Sequence, residues 1–245
     1  MGNRLTIDVV TLWTPTEIST VAWYDAADMS TIGFGSQGVN LWEDKGGNGY
    51  HATQNTNSDW QPTYTESDPL ANNKPSLSSP NVTKHGLETP SFTSKRVYAV
   101  CYYGDGTTAT FLDYSYLLGN ILEEITNFRD FRINGNSGNP TWWTSNDWDE
   151  TPRVNGGSET NTALPMPLTI LEFDHGSDIT QETFIGGSNY WTNRVWRGAY
   201  CEFIFTDGTE DLETRQKIEG YLAWKWGLQS KLPSDHPYKN RAPTA

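Results

Sequence analysis

The chain's 245 residues suffice for one large core, and β-sandwiches of this length commonly form a single domain. Its 17 Lys plus Arg against 30 Asp plus Glu give a formal charge of −13, which repels a phosphate backbone and argues against nucleic acid as a partner. No apolar run approaches the ~18 residues of a spanning helix, so no membrane insertion is expected, and the cysteines are too few for a secreted disulfide framework.

Residues 1–19 read as an N-terminal arm. Ile7 to Val10 is too short and too acidic to be the apolar part of a secretory signal, so export is not expected. Thr20 to Tyr24 and Val39 to Trp42 are predicted strands, separated by Gly33, Gly35 and Gly38. Glu43 to Ser94 is polar and rich in turn residues, with short strands predicted near Gln61 to Tyr64 and Ser76 to Ser78. Stronger strands follow at Val97 to Tyr103, Thr108 to Tyr116, Phe128 to Ile133, Pro167 to Phe173, Glu182 to Ile185 and Val195 to Phe205. Short strands alternating with turns predict a sandwich or barrel.

Cys101 and Cys201 lie inside two of these strands and read as small core residues. A bridge between them is the alternative, since the spacing does not say whether they meet. Leu212 to Trp226 has the period of a helix, with Asp211 as N-cap and Gly227 as C-cap. Its apolar side is expected to lie on the sandwich. Pro233 and Pro237 stop the helix from continuing into the tail, residues 229–245.

Three blocks carry a family likeness. They are Ala22-Trp23-Tyr24-Asp25-Ala26-Ala27-Asp28, then Trp42-Glu43-Asp44-Lys45-Gly46-Gly47-Asn48-Gly49-Tyr50-His51-Ala52-Thr53-Gln54, and then Arg215-Gln216-Lys217-Ile218-Glu219-Gly220-Tyr221-Leu222-Ala223-Trp224-Lys225-Trp226-Gly227-Leu228 with Leu232-Pro233-Ser234-Asp235-His236-Pro237-Tyr238. Together they resemble concanavalin A-like lectin/glucanase domains of the laminin-G-like type, found in bacteriophage structural proteins and bacterial surface proteins. One departure is Gly46 where that family's turn usually has Ser, which is expected to add flexibility without redirecting the chain.

The resemblance implies a concanavalin A-like jelly-roll β-sandwich with one short C-terminal helix packed on it, residues 1–245 forming one domain. It further implies a binding or structural module without a shared active site. The expectation is a non-enzymatic virion protein of a phage, a capsid decoration or fibre-type subunit assembled in the host cytoplasm. Its expected partners are other virion proteins or copies of itself, with polysaccharide on the host surface as a further partner. The alternative is a carbohydrate-binding module of a bacterial surface or secreted protein.

The stretch from Asn134 to Glu150 combines Trp142, Trp143 and Trp148 with Asp147 and Asp149, the mix of stacking faces and hydrogen-bonding groups that suits sugars. Tyr190 and Trp191 add a second aromatic pair. All seven are candidate ligand or interface residues, with packing beneath their own loops as the alternative. No cofactor is expected, except that calcium occurs in related sandwiches and Asp25, Asp28, Asp44 and Asn48 are candidate oxygen ligands here. The same residues also suit turns that satisfy their own backbone.

A more distant alternative is a glycoside hydrolase, because related glucanases carry Glu-x-Asp-x-x-Glu on one strand. Glu172-Phe173-Asp174 supplies two acids, but Ser177 stands where the third belongs, and the segment from Asp174 to Ser177 reads as a turn after the strand. No pair among His51, His85, His175 and His236 has zinc-ligand spacing.

Overall fold

The computed structural model describes residues 11–79, 86–108, 115–119, 131–134, 141–144, 151–189 and 193–245. Among these residues the chain forms two antiparallel sheets and one α-helix, an all-β sandwich with a helical layer outside one sheet. The early strands are β1 (Ala22–Asp25), β2 (Ile32–Phe34), β3 (Val39–Trp42), β4 (Ala52–Thr53), β5 (Thr63–Asp68), β6 (Lys74–Ser78) and β7 (Leu87–Glu88). They are followed by β8 (Phe92–Tyr103), β9 (Ser115–Gly119), β10 (Phe131–Asn134), β11 (Thr141–Thr144), β12 (Arg153–Val154), β13 (Thr169–Gln181), β14 (Phe184–Ile185) and β15 (Gly198–Thr206). The first sheet runs β12-β13-β8-β15-β6-β5, with β1 also paired to β15. The second runs β11-β10-β9-β14-β7-β4-β3-β2.

Strand β8 shows why the layers form. Its residues alternate between two apolar clusters because successive side chains on a strand point to opposite faces. Val97, Ala99, Cys101 and Tyr103 face the second sheet and pack in a core with Trp42, Leu87, Leu117 and Phe203. Tyr98, Val100 and Tyr102 face the other way, toward Ile218, Leu222 and Trp226 of the helix. A strand buried on both faces reads as a continuous apolar run, which is how Val97 to Tyr103 appears in the sequence. The strand starts earlier than its apolar run, at Phe92, because Thr93 and Ser94 pair with Thr180 and Ile179.

Strand β15 carries a bulge. Tyr200 pairs with Cys101 and Glu202 pairs with Val100, so Cys201 is an extra residue in the ladder. A bulge places two consecutive side chains on one face. Cys201 joins the helix-side cluster, and the Glu202 carboxylate accepts from Trp23 and Trp226 of that same cluster. Phe203 then returns to the core between the sheets. Cys101 and Cys201 are both free and buried on opposite faces of the sheet, which excludes the bridge.

Helix α1 spans Leu212–Trp226, as its caps predict. The Asp211 carboxylate accepts from Thr214 N–H, and Gly227 adopts the left-handed conformation at φ 71°. The Asn72 side-chain amide adds a bond to the Trp226 carbonyl at 2.7 Å, satisfying an end group of the helix. Arm and tail are tied beside the helix: Leu12 bridges to Thr244, and Trp13 N–H donates to the Pro243 carbonyl at 3.0 Å.

Some element predictions change, and β4, β7, β11 and β12 are strands where none was predicted. The segment from Asp174 to Ser177 is an irregularity inside β13 rather than a turn beyond it: Gly176 has a positive φ of 68°, and pairing with β8 resumes at Ile179. Between the first two predicted strands lies a third, β2, at the edge of the second sheet. In the Thr108 to Tyr116 region the described strand is β9, and residues 109–114 lie outside the described residues.

Candidate functional site

The first two blocks of the resemblance meet at Asp44, which is 6% exposed. Its Oδ1 accepts from the backbone N–H groups of Trp23 at 2.9 Å and Gly46 at 2.8 Å, and its Oδ2 from Asn48 at 3.0 Å and Tyr50 at 3.3 Å. One carboxylate thus serves three amides that a tight loop leaves without partners and a fourth in β1. Gly47 and Gly49 take positive φ angles of 86° and 78°, as this path requires. Asn48 donates through its amide to the carbonyls of Thr20 and Val21, locking the turn to the start of β1.

Gly46 has a reason other than flexibility. A Cβ there would lie 2.5 Å from Thr20 Oγ1, so Thr20 fills the space that a serine would need.

Asp25 and Asp28 hold a lysine. Lys45 Nζ lies 2.8 Å from Asp25 Oδ2 and 2.8 Å from Asp28 Oδ2, while Lys225 Nζ from the helix reaches Asp25 Oδ1 at 2.6 Å. The Asp28 carboxyl is held below its ordinary range chiefly by the hydrogen bond from Lys45, then by the one from Ser30. The four calcium candidates therefore have protein partners: Asp25 and Asp28 pair with ammonium groups, Asp44 serves amides, and Asn48 bonds backbone carbonyls. Among the described residues no group of three or more His, Cys, Asp or Glu side chains is arranged to hold a metal ion.

A second cluster lies on the outer face of β12 and β13, beneath α1. Glu172 is 3% exposed. Its Oε1 accepts from Arg215 of the helix and lies 3.4 Å from Arg96 Nε, while its Oε2 lies 3.3 Å from Arg153 Nε. Arg96 also holds Asp174 and Glu210, each at 2.6 Å. Arg153 reaches Glu219 of the helix at 3.4 Å, and Glu219 meets His236 of the tail at 3.0 Å. Burial pushes the Glu172 carboxyl up to about 7, Arg215 opposing and Glu219 reinforcing the shift. Burial also acts on Asp174, but the Gly176 N–H and Arg96 outweigh it and hold that carboxyl low.

The second acid beside Glu172 thus comes from the helix, as Glu219, and not from position 177. The cleft in front, lined by Thr151, Arg153, Glu159, Glu172, Asp174 and Arg215, holds about 90 Å³. That is well below the roughly 300–1,000 Å³ of small-molecule sites.

Of the aromatic candidates, Trp142 is a core residue. It is 7% exposed, stacks on Trp196 at 6.4 Å and meets Phe173 edge-on, so its indole has no face open to a ligand. Packing accounts for Trp142. Trp143 belongs to β11, opposite Arg132, with its side chain outside the described residues. Asp147, Trp148, Asp149, Tyr190 and Trp191 lie outside the described residues altogether.

An open aromatic surface occurs elsewhere, where arm, tail and helix meet. Leu12, Trp13, Tyr221, Trp224, Ala242 and Pro243 wall a groove of about 270 Å³, with Leu12 60% and Trp224 37% exposed.

Sequence reasoning missed Glu202, Glu219 and His236 as buried polar residues. For Glu202 the signal was present, an acid alone in the apolar run from Ala199 to Phe205. The outer layer is thus organised by buried acids and their cationic partners. Comparison of the chain with family models, curated proteins and solved structures found no match.

Proposed function

We propose that the chain is a non-enzymatic structural subunit of a phage virion, a capsid decoration or fibre-type protein of the concanavalin A-like jelly-roll class. The observation that carries this reading is the use made of the residues that bear the resemblance. Asp44, Asn48 and Lys225 fasten the turn and helix to the first sheet, and Gly220, His236 and Tyr238 fasten the tail to the helix. A signature spent on architecture transmits a scaffold rather than a reaction. Glu172 and Asp174 are likewise engaged by arginines in a cleft too small for a sugar ring.

Attachment to a neighbouring virion subunit is assigned to the groove at Leu12 and Trp224. Its largely apolar walls offer few groups for sugar hydroxyls and suit apolar side chains of a protein partner. Host-surface polysaccharide would be met elsewhere on the particle-bound subunit.

Sedimentation of the purified chain, alone and with capsid protein, tests the reading. Self-assembly or co-sedimentation that Trp224→Ala weakens at least tenfold is expected. A monomer that ignores capsid protein but binds on a glycan array would instead favour a carbohydrate-binding module of a surface or secreted protein, and release of sugar from a β-glucan would overturn the non-enzymatic assignment.

A further inference from the structure

We infer that Glu172 and Glu219 share one proton in the folded protein, and that this carboxyl–carboxylate pair is a pH-operated catch fastening helix α1 and the tail to the β12–β13 edge. The two acids belong to different layers, β13 and α1, yet flank one guanidinium. Arg153 lies 3.3 Å from Glu172 Oε2 through Nε and 3.4 Å from Glu219 Oε1 through its terminal nitrogen. Both carboxylates are nearly sealed from water, with side chains 3% and 2% exposed.

Glu172 Oε2 is buried and receives no hydrogen bond, because Arg153 Nε, though close, is not aimed at it. A carboxylate oxygen in that position is costly. If it carries the proton it becomes a donor, and the neighbouring Glu219 is the acceptor it needs.

The charges agree. Facing the pair are Asp174 on the same strand, Arg96 and Tyr98 on β8, Arg153 on β12, Arg215 on the helix, Glu210 just before it and His236 on the tail, with Glu159 at the exposed mouth of the cleft. His236 Nδ1 accepts from the Tyr238 N–H at 3.2 Å, which leaves Nε2 as the ring nitrogen that carries its hydrogen toward Glu219. The ion-pair cluster then holds four carboxyl groups, Glu172, Glu219, Asp174 and Glu210, against three guanidiniums, Arg96, Arg153 and Arg215, with Asp174, Arg153 and Arg215 at its partly exposed edge. One retained proton balances it. Burial raises Glu172 to about 7, whereas Glu219, buried too, is held low by its bonds to His236 and Glu172, so the proton belongs on Glu172.

The sign follows. An acid whose folded value lies above its ordinary 4.5 favours the folded state fully below 4.5, and that contribution is lost as pH rises through about 7. Losing the proton sets two buried anions against each other between β13 and α1 and weakens the catch.

The test compares thermal midpoints of the full chain and of Glu172→Gln, which mimics the protonated acid, from pH 5.5 to 8. The unaltered chain should lose roughly 3–6 °C across this range and the variant about 1 °C or less. The infrared carbonyl stretch of a protonated carboxyl group should be present at pH 6 in the unaltered chain, fade by pH 8.5 and be missing from the variant. This second reading needs no stable variant to show that the band fades with pH. Equal pH slopes in the two proteins, or no acid carbonyl band at pH 6, would overturn the inference.

Discussion

Asp25 and Glu202 stand directly opposite each other on β1 and β15, and the ammonium of Lys225 lies between them, 2.6 Å from Asp25 Oδ1 and 2.8 Å from Glu202 Oε2. Two like charges across a strand pair are destabilising on their own. Here the helix supplies the compensating charge, while Trp23, Tyr221 and Trp226 donate to the Glu202 oxygens at 2.8, 3.1 and 2.5 Å. Sheet and helix are therefore electrostatically incomplete apart.

Replacing Lys225 by Met leaves a fully buried carboxylate without its cation. The expected loss is about 3–5 kcal/mol in denaturant unfolding, the range found when one partner of a buried ion pair is removed. Adding Glu202→Gln should recover part of it. A loss below about 1 kcal/mol would show that Lys225 is not the essential counter-charge.

Gly220 lies inside α1, where alanine would ordinarily add about 1 kcal/mol of helix stability. A Cβ there would come within 2.6 Å of the Tyr238 Cβ, so Gly220→Ala should cost about 1–3 kcal/mol and expose the tail to limited proteolysis. An unchanged cleavage pattern would mean that the tail does not depend on this close approach.

At Gly46 the same logic gives a pair effect. Gly46→Ser should destabilise the turn while Thr20 is present and be better tolerated with Thr20→Ala, because the new Cβ competes with Thr20 Oγ1 at 2.5 Å. A double-mutant cycle reads the coupling, expected at about 0.5–2 kcal/mol.

Stability should peak near pH 5. Asp174, Glu219 and Asp28 are held below their ordinary values of 3.8, 4.5 and 3.8, so their contributions are complete above those values and are lost as pH falls further. Glu172 acts in the opposite sense on the alkaline side, through about 7. Thermal midpoints measured from pH 3 to 9 should trace a maximum between these limbs, and a midpoint still rising from pH 6 to 8 would contradict it.

Both thiols should resist a thiol reagent in the folded chain and react on unfolding. Burial pushes each far above its ordinary range, and they lie on opposite faces of the first sheet. Rapid labelling of either cysteine under native conditions would contradict this placement.

The parts of the fold legible in the sequence are those whose causes are local. Helix α1 has the predicted bounds because Asp211 and Gly227 end it by their own backbone chemistry. Strands with apolar runs, such as Val97 to Tyr103, were found but cut short, since Thr93 and Thr180 reveal themselves only as partners. Gly176 reads as a turn because a left-handed glycine normally marks one, while continued pairing at Ile179 is a property of two strands together. The ion-pair layer was not legible: Glu172, Glu219 and His236 are far apart in the chain, and only the docking of α1 assembles them. Trp142 shows the converse, a tryptophan in a polar stretch whose neighbours Phe173 and Trp196 come from β13 and from the segment leading into β15.

The supernumerary Cys201 works like an inserted letter in a reading frame. From Glu202 onward, β15 assigns odd- and even-numbered residues to its core and helix faces in the opposite phase to the one set by Ala199 and Tyr200. Were Cys201 instead taken into the ladder opposite Val100, the Glu202 carboxylate would point into the space between the sheets and Phe203 toward the helix, exchanging every later contact of the strand by half a period. One residue left outside the ladder thus keeps two layers in phase at once.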